Sequence, residues 1–310
     1  MDSSHALTPT DTFASQPVVL SFWRRVAARL RGGPLISLGI LGGLVFVALF
    51  ADFLAPYPYS SNSRYTPEVG ELRNRYRPPM WQARGKSEFI LGTDQQGRDI
   101  LSRLIYGSRI SLKVAVAAVL VSGIIGTALG ILSGYIGGNF DNIVMRGVDI
   151  LFAFPGLVLA IVIAGLLGPS TANAMIAIGV VYAPAYARVA RGSVLSVKAE
   201  LYLEAARLVG GRGTHIVLRH ILPNIMAPLI VLTTLSMSTA ILTEAALSFL
   251  GLGTQPPEPS WGIMLSNGRR FMEIAPGLAI FPGLAIVIAV LGFNFLGDGL
   301  RDALDPRLKE

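Results

Sequence analysis

Six apolar runs, at 35–55, 112–136, 150–167, 172–190, 225–250 and 276–296, leave few folds open to this chain. Each is close to the ~20 residues that an α-helix needs to cross hydrocarbon. Lipid offers a backbone no hydrogen-bond partners, so runs of this length predict membrane-spanning helices and an all-α integral membrane protein. Composition agrees: 52% of the 310 residues are hydrophobic and 15% charged, where a soluble chain carries about 25% charged residues.

The balance of charge is +7. The basic residues are scattered between apolar runs and form no block of the kind that grips phosphate backbones, so nucleic acid is excluded as a partner and lipid is expected. The chain has no cysteine, which removes disulfides, thiolate nucleophiles and thiolate metal sites. His5, His215 and His220 have no metal-ligand spacing, and no serine-based nucleophile motif occurs in a fitting context. Gly85-Lys86-Ser87 imitates the end of a phosphate-binding loop, but Met80 stands where that loop requires glycine. A membrane enzyme or a scaffold without transport is a remote alternative.

Residues 1–33 form a polar tail ending in Arg24, Arg25, Arg29 and Arg31, a collar that places the N-terminus in the cytoplasm. Alternating the spans from there puts 56–111, 168–171 and 254–275 outside and 137–147, 191–224 and the C-terminus inside. The expected divisions are a tail (1–33), a first span (34–55), an external loop ending in a short interfacial helix (56–111), a core of spans (112–297) with an inner loop at 191–224, and a cytoplasmic tail (298–310). Gly123, Gly126 and Gly130 have the spacing of a close helix-packing face. Pro155 and Pro184 are expected to kink the third and fourth spans.

The inner loop carries the most distinctive wording. Val194, Val197, Leu201, Ala205 and Leu208 recur at helical spacing as an apolar stripe, with Glu200, Glu204 and Arg207 on a separate charged face. Gly210 and Gly211 break that helix, Thr214 can cap a second, and Pro223 with Asn224 ends it. On pattern alone this is a helix, an elbow and a helix, serving either as a docking element or as an ordinary surface loop.

Glu204-Ala205-Ala206, three residues, Gly210, nine residues and then a position followed by x-Leu-Pro resembles the EAA loop of bacterial ABC importer permeases. Leu222 and Pro223 supply the final pair, and His220 stands where isoleucine is usual. The resemblance implies a coupling helix that sits in a cleft of a cytoplasmic ATPase, with Glu204, Ala205, Ala206, Arg207, Gly210, Leu222 and Pro223 as its ATPase-coupling residues.

Further wording narrows the family. LGTDQQGRDILSRLIYGSRISL from Leu91, the stretch Glu244 to Gly253, Gln255-Pro256-Pro257, Pro259-Ser260-Trp261-Gly262 and Gly297-Asp298-Gly299-Leu300-Arg301-Asp302 are similar to the C-type permeases of dipeptide and oligopeptide importers. That resemblance implies a type I, MetI-like permease of six transmembrane helices in a bacterial inner membrane. It implies four kinds of partner: a B-type permease, two ATPase subunits, an extracytoplasmic solute-binding protein and lipid. The chain itself would be non-catalytic and without cofactor, ATP and Mg being bound by the ATPase subunits. Di- or oligopeptides are the implied substrates, with glutathione or a nickel complex as alternatives.

Glu244 is the carboxylate most deeply placed within a span. It would either line the pathway or tie helices together, and an ion-coupled carrier centred on it is the rival class.

Overall fold

The computed structural model describes residues 33–58, 66, 70–210 and 212–304. The N-terminal tail up to residue 32, with its arginine collar, and the last six residues lie outside them. In chain order the helices are α1 (Gly33–Leu49), α2 (Ala51–Leu54), α3 (Ile100–Ile136), α4 (Gly138–Phe152), α5 (Gly156–Leu167), α6 (Thr171–Lys198) and α7 (Leu201–Leu208). There follow α8 (Gly213–Ile216), a π-helical turn (Val217–Ile221), α9 (Leu222–Phe249), α10 (Trp261–Gly268) and α11 (Gly277–Leu304). Apart from an isolated bridge between Thr93 and Asp99, the regular structure among the described residues is helical.

Helices α3, α6 and α11, and the continuous path Gly213–Phe249, are each long and apolar enough to cross a membrane. A fifth crossing is broken: α4 and α5 meet at 92°. Pro155 is the reason, since it disfavours a helical conformation at Phe154 and opens α5 as its N-cap residue. The apolar run at 150–167 is therefore divided between two helices, and most of the loop expected at 137–147 is α4. With α1 and its short continuation α2, this arrangement is consistent with six spans.

Helix α3 begins earlier than the apolar run. Asp99 is its N-cap, accepting the Ser102 amide at 2.7 Å, the bond that a cap residue supplies to an otherwise orphaned amide. The short helix expected near 100–105 is thus the first part of α3. Its polar residues Ser102, Arg103, Ser108 and Ser111 are buried by protein.

The core is a parallel seam between α3 and α6. At Gly126 a Cβ would come within 2.2 Å of the Ala183 carbonyl oxygen, and at Gly130 within 2.3 Å of that of Ala187. Backbones can approach this closely only where side chains are absent. Gly123, with its nearest neighbour 3.5 Å away, is less tightly packed. Helix α6 continues through Pro184. Large apolar side chains such as Ile124, Ile143 and Leu166 point outward, as hydrocarbon solvent allows. At the end where α3 starts, Arg109 holds α1 and α2 by donating to the Ala48 carbonyl at 2.8 Å and to Asp52 at 3.1 Å.

Candidate functional site

At the other end of the bundle, four consecutive pieces of chain form a projecting elbow. Lys198 closes α6 by donating to the carbonyls of Gly134 and Tyr135 at 3.0 and 2.9 Å. The ammonium satisfies acceptors left open at the end of α3, where a positive charge is favoured. A turn at Ala199 and Glu200 separates α6 from α7, so the expected apolar stripe does not run along one helix. Val194 is buried in α6, whereas Leu201, Ala205 and Leu208 are exposed on α7. The break redirects the second half of the stripe outward.

Helix α7 is anchored by Leu203, which is fully buried in the same cluster as Ile216, Ile221 and Ile225. Its outward side presents Glu204, Ala205 and Leu208, Val209 follows in the turn, Leu208 and Val209 are each 87% exposed, and Ala206 is half-buried. Arg207 lies in the same helix. Gly210 follows with φ of +85° and no neighbour within 4 Å of a Cβ. Only its backbone conformation demands glycine there.

The second limb was expected to end at Pro223. Instead the helix runs on into α9, with Leu222 half-buried and Pro223 exposed in its first turn. Proline removes one helical hydrogen bond and crowds the preceding turn. The π turn just before it absorbs that mismatch: the Leu222 amide reaches back to the Val217 carbonyl, one residue farther than in an α-helix.

Two residues without a periodic signal join these parts. The Asn224 side-chain amide donates to the His220 carbonyl at 2.6 Å and to the Tyr202 hydroxyl at 3.1 Å. Tyr202 is 43% exposed, and partial desolvation of its hydroxyl, with Glu200 nearby, raises it above its ordinary pKa of 10.0. Deeper in the bundle, Arg191 pairs with Asp141 and Ser133 donates to the same carboxylate, tying α3, α4 and α6 together. A cleft of about 580 Å³ opens beside Asn224, lined by Val189, Pro228, Leu235 and Arg301.

Glu244 is not part of this elbow. It lies 21 residues beyond Pro223 on α9, roughly 30 Å along the helix. Only 1% exposed, its carboxylate accepts Ser111 at 3.2 Å from α3 and Ser248 at 2.7 Å from its own helix. The Thr254 amide in turn donates to the Ser248 hydroxyl at 3.0 Å. Ser260 caps α10, and the Trp261 amide approaches Ser111. Among the described residues no cation pairs with Glu244. The arrangement closes α3, α9 and α10 over the carboxylate.

Comparison with known proteins supplies the family. Residues 126–310 match the model for the binding-protein-dependent transport system inner membrane component, and residues 21–79 match the N-terminal TM domain of oligopeptide transport permease C. The chain is 43% identical to a dipeptide transport system permease protein of Alkalihalophilus pseudofirmus, over 95% of this chain and 93% of that one. It is also 43% identical to a di/tripeptide transport system permease protein of Pseudomonas aeruginosa, over 100% and 99%. Identity to a glutathione transport system permease protein of Pectobacterium atrosepticum is 44%, over 93% and 91%. Among solved structures, a chain of the MetNI methionine ABC transporter shares the fold with a TM-score of 0.53 and 21% identity, over 65% of this chain and 96% of that one. The chain therefore belongs to the binding-protein-dependent transport system inner membrane component family, as a permease subunit of the MetI-like fold.

Proposed function

We propose that this permease carries di- or oligopeptides inward in an ATP-driven importer, with the elbow around α7 as its contact to the ATPase. The observation that carries this reading is the direction of α7. One side is locked into the bundle by Leu203, while Leu201, Ala205, Leu208 and Val209 form an uncovered apolar face interrupted by Glu204. Small Ala205 lets a partner approach closely. Gly210 and the π turn allow the elbow to change angle without unfolding.

In this reading both termini and the elbow are cytoplasmic, and the Glu244 end faces outward. Two ATPase subunits bind ATP and Mg, a B-type permease completes the path, and a solute-binding protein delivers substrate. Nucleotide-driven closure of the ATPases moves α7, and the bundle alternates its access. The mutually satisfied hydroxyls around Glu244 favour a structural tie over an ion-coupling role. Glutathione is the second substrate reading, supported by the relatives that bear that name.

Cysteine crosslinking tests the reading, because the chain has no native cysteine. With Ala205→Cys and a cysteine in the cleft of the co-encoded ATPase, the expected result is a crosslink whose yield changes with ATP. A label-accessible cysteine that never crosslinks in a stable complex would overturn the docking role. Uptake assays with a labelled dipeptide and labelled glutathione then separate the two substrates.

A further inference from the structure

The elbow has to act on the membrane helices, and the structure offers it two routes. One is covalent, through the Ala199–Glu200 turn to α6. That helix is fastened along its length: Gly126 and Gly130 bring it against α3, Lys198 caps α3, and Arg191 grips Asp141 of α4. A push on α6 is shared with α3 and α4, which are fastened to it.

The other route leads to the start of α9, where the helical ladder is irregular. The helical path from Gly213 to Phe249 loosens at Val217–Ile221, where the turn is π-helical, and loses a backbone donor at Pro223. Helices kink at π turns and at prolines, because both interrupt the regular hydrogen-bond ladder. Asn224 stands at this point. One side-chain nitrogen donates to the His220 carbonyl inside the π turn and to the Tyr202 hydroxyl on α7. The Tyr202 and His220 rings lie 6.3 Å apart, their centroids placing α7 alongside the same turn. A displacement of α7 is thus delivered to the π turn and Pro223 at the start of α9, about one turn ahead of Pro228, the proline inside that helix.

We infer that the Tyr202–Asn224 hydrogen bond is the strut through which the elbow bends α9, making Tyr202 and Asn224 positioning residues for transport. The inference rests on the coupling role proposed above and adds which span is driven. Both side chains are solvent-accessible, so cutting the bond strands no buried polar group and its loss is separable from unfolding. Leu203, fully buried beside Tyr202, holds α7 in place when the strut is cut.

The test uses the reconstituted complete transporter with two cysteine reporters in separate preparations. Ala205→Cys, crosslinked to the ATPase, reads docking. Thr239→Cys, on a side of α9 that this chain leaves uncovered and confirmed first to label from water in the parent, reads movement of that helix as the change in maleimide labelling rate when ATP and Mg are added. In each background Tyr202→Phe, Asn224→Ala and the double variant are compared with the parent. Tyr202→Phe removes only the hydroxyl, whereas Asn224→Ala also removes the side-chain bond to the His220 carbonyl.

The expected result is an unchanged Ala205 crosslink with an ATP-dependent labelling change about fivefold smaller, the factor that one ordinary hydrogen bond supplies. The double variant should be no worse than Asn224→Ala alone, since one bond is lost once. Full labelling response in Tyr202→Phe would overturn the strut, as would a parent whose α9 labelling ignores ATP. Equal loss of crosslink and response in Tyr202→Phe would place Tyr202 on the docking face and also overturn it. Failure of the parent to crosslink at all would remove the coupling reading itself, an outcome distinct from the others.

Discussion

The Arg191 Nε lies 2.6 Å from Asp141 Oδ1, joining α6 to the first turn of α4. The guanidinium reaches both carboxylate oxygens, and Ser133 of α3 donates to the same group. Three helices therefore depend on one carboxylate. Arg191→Ala should destabilise the purified complex by about 2 kcal/mol, the order expected for charge-assisted, partly buried hydrogen bonds. Thermal unfolding measures this, and a charge swap, Arg191→Asp with Asp141→Arg, should restore part of the loss.

Gly210 and Gly192 make a matched pair, because a Cβ at either position would have no neighbour within 4 Å. Gly192 is inside α6, about two turns before its end, so Gly192→Ala should be neutral or stabilising by up to ~1 kcal/mol. Gly210 has positive φ, so Gly210→Ala should cost about 1–2 kcal/mol of local strain. The cost should show as faster proteolysis at 208–212 and a weaker ATP response of the Ala205 crosslink. An equal response from the two variants would mean that the elbow needs no left-handed residue.

Replacing Glu244 separates a tie from a proton or ion path. Glu244→Gln keeps the size and most hydrogen bonds to Ser111 and Ser248, and should retain folding and uptake. Glu244→Ala strands those hydroxyls and should lower stability by about 1–3 kcal/mol. A well-folded Glu244→Gln complex without uptake would show that an ionisable group is required there.

Asp99 predicts a pH dependence in the lobe before α3. Burial, opposed by the Ser102 hydrogen bonds and reinforced by nearby Asp94, raises its carboxyl above the ordinary 3.8. Its Oδ1 is buried with no partner. A raised folded pKa favours the fold while the group is protonated; that contribution is complete below about pH 3.8 and is lost as pH rises through the folded value. Asp99→Asn can still cap α3 and is neutral throughout. Hydrogen exchange over 70–105, corrected for its intrinsic pH dependence, should show the native lobe loosening as pH rises and the variant lobe unchanged.

The helical class and the apolar crossings were legible because a 20-residue apolar run has few alternatives in lipid. The Gly126–Gly130 seam was legible for a similar reason: small residues at that spacing leave a groove. The division of the apolar stripe was not, because Ala199 and Glu200 are good helix residues and only tertiary packing turns the chain there. Pro223 was misread as a terminator because the π turn that accommodates it has no sequence signature. Tyr202 and Asn224 escaped notice since a single tyrosine and a single asparagine repeat with no period. The wording around Glu244 was visible, but of the hydroxyls that meet it, Ser111 lies 133 residues away in the chain.

The right-angled junction of α4 and α5 has one more consequence. A helix that stops and restarts leaves the last carbonyls of one half and the first amides of the other outside any ladder. Near Phe154 and Pro155 those groups occur within what would otherwise be a single crossing, and acyl chains offer them nothing. The corner must therefore lie where water, or another polypeptide, can reach the main chain. That marks one stretch of the bundle's circumference as unfit for lipid, whatever the apolar character of the Phe152 and Phe154 side chains beside it.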